Sequence, residues 1–279
     1  MRTKNSAFKS LLFTCVAVGV VALAVLLVYV VTKGAPRLNF DLLRRFPSSL
    51  PRRAGARSAI FGTIWVVGLT AAFCLPVGIG AAIYLEEFAN RDRWWNKLIE
   101  VNIQNLAAVP SIVYGILGLG FLVHGIGDLG RTVLAAALTL SLLVFPIVVI
   151  ASREAIRAVP NSIRLGALAL GATPWQAIRT QVLPAAVPGI ATGSILALSR
   201  AIGEAAPLLL VGGITFITFN PSALDSEFTV LPIQIFNWIS RPQPEFKVLA
   251  AAAIIVLVGI LLAMNSVAIW LRNRYQRKW

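Results

Sequence analysis

Charge is scarce in this sequence. Asp, Glu, Lys and Arg make up 13% of its 279 residues, about half the share of an ordinary soluble domain. The shortage falls hardest on one sign, with 25 Lys and Arg against 11 Asp and Glu. Histidine occurs once, as His124, and cysteine twice, as Cys15 and Cys74. Two cysteines make no disulfide framework. Both lie inside apolar stretches, where a small packing role is the plain reading. One histidine with only Asp128 close by is a poor metal site, and nothing in the sequence calls for a cofactor. The pattern GxxxxGK[ST] does not occur, so the chain has no P-loop with which to hold ATP.

What it has is apolar length. Hydrophobic residues are 58% of the chain and mean hydropathy is +0.81. Six runs, roughly 11–32, 58–84, 102–123, 131–151, 188–211 and 248–271, are each long enough to cross a bilayer with some tilt. These predict an all-α integral membrane protein with six transmembrane helices. The first run follows Arg2, Lys4 and Lys9. It is longer than a signal-peptide core, and Val-Thr-Lys-Gly-Ala-Pro is no small-residue cleavage site, so it reads as a retained helix.

Net charge is +14, which in a soluble protein would suggest nucleic acid. The basic residues sit almost wholly between and beyond the runs, where they read as topology signals and lipid contacts instead. Six spans put both termini on one side, and the tail holds Arg272, Arg274, Arg277 and Lys278. Loop 33–57 is as basic on the other side, with Lys33, Arg37, Arg44, Arg45, Arg52, Arg53 and Arg57 against Asp41 alone. The segment Gly125-Ile126-Gly127-Asp128-Leu129-Gly130 matches the dinucleotide pattern GxGxxG by letter. It joins two spans, with no strand before it, and reads as a tight glycine turn.

Loop 152–187 is the best ordered in its local signals. Ser162 can cap a short helix ending near Gly171, a residue suited to the left-handed position after a helix. Thr173-Pro174-Trp175-Gln176 then reads as a new start, with Thr173 as N-cap, Pro174 in the first turn and Gln176 completing a capping box. Pro184 and Pro188 are expected to stop that helix before the next span. An ordinary structured loop would show the same signals, which report order and not a partner.

The fifth run carries the most chemistry. Gly189, Gly193, Ala197, Ala201 and Ala205 recur every four residues, a small-residue stripe that lets helices approach closely. Arg200 and Glu204 share a face beside it. A charge in mid-span faces a bundle interior or a watery path. Two readings stay open: an Arg–Glu pair that fixes packing, or a guanidinium fork that meets a permeant anion. Pro207 loosens the helix nearby. The third run is unusually polar, with Asn102, Gln104, Asn105, Ser111 and Tyr114 around Pro110. Asn105 and Ser111 are candidates for lining a path, and interhelical hydrogen bonding explains them equally well. Pro110 frees a backbone carbonyl, tolerable in a membrane only against protein or water.

The segment Leu165-Gly166-Ala167, with Gly171 and Leu183-Pro184, resembles the EAA loop of ABC importer permeases, the segment that docks into the ATP-binding subunits in that family. Leu165 stands where the family has a glutamate, Gly166 replaces an alanine and Gln181 an apolar residue. Ala167, Gly171, Leu183 and Pro184 agree and are the candidate coupling residues. Four further stretches resemble the phosphate-specific members, in particular the A-type permease that pairs with a C-type one. They are Asn102–Gly115, Ser199–Leu208, Leu231–Trp238, and Met264-Asn265 with Leu271–Tyr275. The resemblance runs from about residue 58 to the end and implies several things. The fold is a type I ABC importer permease fold with cytoplasmic coupling helices. Residues 1–57 are an N-terminal transmembrane helix and basic external loop, and 58–279 are the permease domain with coupling loop 152–187. The complex holds a C-type permease, two ATP-binding subunits and a periplasmic phosphate-binding protein. Both termini are cytoplasmic in a bacterial inner membrane. Competing readings are a permease for another oxyanion or small solute, and a proton-coupled secondary transporter with Arg200 and Glu204 as relay.

Overall fold

A computed structural model describes residues 2–90, 93–125, 127–213 and 216–275. Arg277, Lys278 and Ile126 of the glycine turn lie outside the described residues. Every regular element among the described residues is helical. Helix α1 spans Arg2–Gly34 and α2 spans Phe40–Arg44, capped by the Asn39 side chain, which accepts from the Leu42 N–H. Helix α3, Arg57–Ile83, runs on through a π-helical turn at Tyr84–Phe88. Next come α4 (Trp94–Ala107), α5 (Ser111–Leu117) with a π-helical turn at Gly118–Val123, and α6 (Val133–Arg157). Then follow α7 (Asn161–Ala169), α8 (Pro174–Ala177), a π-helical turn at Ile178–Val182, and α9 (Leu183–Gly203). Helices α10 (Ala206–Val211), α11 (Leu231–Ile239) and α12 (Pro244–Tyr275) complete the chain.

Among the described residues, five helices are long and apolar enough to cross a membrane: Phe8–Arg37, Arg57–Phe88, Val133–Arg157, Pro174–Gly203 and Pro244–Arg274. A sixth crossing is present if Trp94–Ala107 and Ser111–Val123 count as one, and these meet at 106°. The third apolar run is therefore a sharply broken pair rather than one helix. The break lies at Ala108–Pro110, because Pro110 cannot donate to the carbonyl four residues before it. That carbonyl, on Leu106, accepts instead from the Tyr114 hydroxyl at 2.8 Å, so the freed group is satisfied inside the protein.

The fifth run differs in two ways. Its helix does not stop at Pro184 and Pro188 but continues from Pro174 to Gly203. The π-helical turn just before Pro184 widens the backbone, with the Leu183 N–H bonding back to the Ile178 carbonyl. At its other end the run breaks early: α9 finishes at Gly203, Glu204 is extended with ψ 116°, and α10 restarts with Pro207 in its first turn. Ala205 thus falls outside the stripe. In the sixth helix of the chain, α6, the helix outlasts its apolar run, so Arg153 and Arg157 stand in its last turns.

The stripe itself packs α9 on α6. A Cβ added to Gly189 would come 2.6 Å from Ala155 Cβ, and one on Gly193 would come 2.3 Å from Ala151 Cβ. Helices α3 and α6 form the other side of this core. Thr70 donates to the Ala137 carbonyl at 3.3 Å and Ser141 donates to the Thr70 carbonyl at 3.4 Å, polar cross-ties of the kind that hold helices in lipid. Buried Val66, Leu140, Val144, Val148, Ala197 and Ala201 fill the space between them.

The basic segment 33–57 is folded. Leu42 is buried, Arg45 pairs with Asp41 at 2.9 Å, Arg57 lies over the Phe46 ring, and Arg37 donates to the Pro51 carbonyl. Ser58 donates to the Ile217 carbonyl and the Val133 N–H to the Ser226 carbonyl. These bonds gather 33–57, 127–132 and 216–230 at one end of the bundle. The segments 84–90, 93–100 and 152–182 meet at the other.

Candidate functional site

Two clusters gather the residues singled out above. The first surrounds the break between α9 and α10. Arg200 lies in the last turn of α9 and Glu204 caps it, so the charges stand at a helix end and not in mid-helix. The sequence pointed to loosening near Pro207 but did not place the helix end at Gly203. The pair itself forms: Arg200 Nε is 3.3 Å from Glu204 Oε1. Its members differ in exposure, 46% for the arginine side chain and 17% for the glutamate. Among the described residues Glu204 is the sole hydrogen-bonded partner of Arg200, which leaves most of the guanidinium fork open. Positive charge at the C-terminal end of α9 also sits well with the helix dipole.

Helix α5 stands opposite. A Cβ on Gly115 would come 2.7 Å from Pro207 Cα, so α5 and α10 touch backbone to backbone. Two breaks, at Pro110 and at Glu204–Ala205, are thereby brought side by side. Ser111 is half-buried at the start of α5, and Asn105 is exposed near the end of α4. Among the described residues, neither bonds to Arg200 or Glu204. One residue before Arg200, the Ser199 hydroxyl donates to Asn265 Oδ1 at 2.9 Å and fastens α9 to α12.

The second cluster is the 152–187 segment. Gly171 has φ +85° and nothing within 4 Å of where its Cβ would be. The Gly171 N–H bonds to the Leu168 carbonyl and the Ala172 N–H to the Ala167 carbonyl, a Schellman ending for α7. The capping box at Thr173 and Gln176 forms in both directions. Ser162 is not a cap, since α7 starts at Asn161 after Pro160. Ala167 is half-buried, while Leu165, Leu168, Leu170 and Trp175 are exposed, Leu170 at 91%. Leu183 and Pro184 sit half-buried where the π-helical turn passes into α9.

The sequence reading missed the ion pairs behind this surface. Glu86 meets Arg153 at 3.5 Å and Arg157 at 3.1 Å, and Glu100 meets Arg153 at 3.2 Å. Glu87 meets Arg164 at 2.6 Å. The available signal was complementary charge: Glu86, Glu87 and Glu100 in one connection, and Arg153, Arg157 and Arg164 in another predicted on the same side.

The architecture matches solved ABC importers. One chain of the MetNI methionine transporter superposes with a TM-score of 0.61 at 16% identity, over 77% of this chain and 92% of that one. A chain of a bacterial transporter that imports the acidic polysaccharide alginate gives 0.61 at 18%, over 79% of each. The fold is thus the type I ABC importer permease fold. Residues 74–278 match the binding-protein-dependent transport system inner membrane component family, and the chain belongs to that family as a permease subunit of an ABC importer. Relatives of nearly equal length agree. The probable permease YqgI of Bacillus subtilis is 30% identical over 95% of this chain and 93% of its own. The phosphate transport permease PstA of Haemophilus influenzae is 30% identical over 99% and 95%. PstA 1 of Mycobacterium tuberculosis is 29% identical over 97% and 89%.

Proposed function

We propose that the chain is the A-type pore subunit of an ATP-driven importer that carries inorganic phosphate into the cytoplasm. In this reading it pairs with a C-type permease, two ATP-binding subunits and a periplasmic phosphate-binding protein. The observation that carries the reading is the state of Arg200: a guanidinium at a helix break, half exposed and bound on one edge by a single carboxylate. A phosphate crossing the membrane sheds part of its water, and a planar fork replaces those hydrogen bonds in pairs. Glu204 tempers the site, because an anion held too tightly does not move on. Asn105 and Ser111 contribute polar wall on either side of the Pro110 break. Full-length similarity to phosphate permeases favours phosphate over other oxyanions.

The 152–187 segment is then the docking surface for the ATP-binding partner, facing the cytoplasm with both termini. Ala167 and Gly171 shape it, and Leu183 with Pro184 joins it to the pore helix α9. The test is a purified complex in liposomes. ATP hydrolysis by a separate subunit, stimulated by phosphate-loaded binding protein and accompanied by phosphate entry, supports the reading. Stimulation by a different solute, with phosphate inert, overturns the choice of substrate.

A further inference from the structure

Helix α7 buries none of its own residues, yet it is tied to the body of the bundle. Ile163 packs partly against the core beneath it. Arg164 turns the opposite way from the exposed leucines. Its Nε and Nη2 donate to the Glu87 carboxylate, at 3.1 and 2.6 Å from Oε1. Its Nη1 donates to the Val159 carbonyl at 2.7 Å and its Nη2 to the Ile156 carbonyl at 3.0 Å. One side chain therefore joins three pieces: α7 itself, the π-helical end of α3, and the last turn of α6. The Arg164 and Glu87 side chains are 20% and 8% exposed, so water competes weakly for these bonds. A cleft of about 470 Å³ opens beside the joint, lined by Glu86, Glu87, Arg157, Arg164 and residues 158–161. The junction combines these polar ties with the partial packing of Ile163.

We propose that Arg164 is a positioning residue that carries displacement of α7 into α3 and α6, so that movement at the ATP-binding partner reaches the pore helices. This rests on the importer reading above. A planar guanidinium has five donors in fixed directions and holds a carboxylate and two carbonyls together, where an ammonium offers three donors from a single point. With the tie removed, α7 keeps its docking face, since Leu165, Leu168 and Leu170 are untouched, but it moves without the helices behind it. The partner then hydrolyses ATP to no effect.

Reconstituted complexes give the test, as phosphate imported per ATP hydrolysed. Arg164→Ala is expected to keep membrane abundance and copurification of the ATP-binding subunit while the ratio falls about tenfold. Glu87→Gln keeps the shape of its side chain and removes the charge; it should lower the ratio in the same direction and serves if Arg164→Ala folds poorly. Arg164→Lys should fall between Arg164→Ala and the unaltered complex. A purely structural pair makes another forecast: Arg164→Ala with Glu87→Ala leaves no unpaired carboxylate and recovers the ratio. The strut leaves the double variant uncoupled. Recovery in the double variant, an unchanged ratio in Arg164→Ala, or loss of import only in step with abundance overturns the proposal. If the unaltered complex lacks an ATP-binding subunit or fails to import phosphate, the importer reading falls and takes the strut with it. An unaltered complex that imports normally isolates the failure to Arg164.

Discussion

Arg200 concentrates the question of selectivity in one side chain. Its only hydrogen-bonded partner among the described residues is Glu204, and its 46% exposure means that the pair adds little to stability wherever water reaches it. Arg200→Gln should therefore abolish phosphate uptake in cells while membrane abundance stays normal. Arg200→Lys keeps charge without the fork, and should be impaired but active. If the pair only fixes packing, either single change lowers abundance and the double change with Glu204→Gln restores uptake. That restoration would falsify a direct role for the guanidinium. Tyr114 makes a separate case. Its hydroxyl donates to the Leu106 carbonyl that Pro110 strands, which also accepts from the Val109 N–H at 3.1 Å, so Tyr114→Phe should cost the net worth of one hydrogen bond, about 0.5–1.5 kcal/mol. Thermal denaturation in detergent should show the loss. The sequence disclosed both residues as polar letters in apolar runs. It did not disclose the bond between Tyr114 and Leu106, because a 106° turn is set by how two helices pack and not by which letters flank the proline.

Among the elements, the segment from α7 to α9 shows what local chemistry can and cannot announce. The capping box and the left-handed Gly171 were readable because each uses neighbours within four residues. The helix running through Pro184 was not, since a π-helical turn adds a residue without changing the apolar pattern. Gly171→Val has free space but the wrong φ, a strain of about 1–2 kcal/mol. It should leave the protein in the membrane and weaken copurification with the ATP-binding subunit. Gly193→Leu is the converse, with a permissible φ and no room against Ala151. It should destabilise the packed helices by about 1–3 kcal/mol and so reduce membrane abundance itself. The basic segment 33–57 is also an element with its own structure. Arg37 and Arg45 are engaged internally, so neutralising Arg44, Arg52 and Arg53 alone tests its field. If the segment steers anions from outside, uptake slows most at low ionic strength. Equal slowing at every salt concentration points to lipid contact instead.

At the scale of the molecule, the bundle sorts its connections to two ends, and the ion pairs that tie one end together were invisible as pairs. Three glutamates and three arginines more than 50 positions apart carry no register until the helices between them are laid side by side. The sidedness is testable as a whole. Reporter fusions after residues 40, 92, 128, 170, 230 and 279 should alternate out, in, out, in, out, in. A periplasmic reading at 170 would turn the docking face away from ATP. Helix α1 has a different kind of bearing on the assembly. It is 33 residues long, about 50 Å at 1.5 Å per residue, and its most apolar stretch has no residue buried within the chain. Its last residue, Gly34, lies against the backbone of Ala251 and Ala252 in α12. A hydrocarbon layer about 30 Å thick cannot take such a rod upright within its span. The helix must lean or stand proud, and by how much depends on the acyl chains around it. Gly34 abuts α12, and Asn265 of α12 accepts from the Ser199 that precedes Arg200, a chain of contacts along which such a lean is expected to act. If Arg200 handles the anion as proposed, the thickness of the surrounding lipid becomes a mechanical input to the transporter, felt at that helix end.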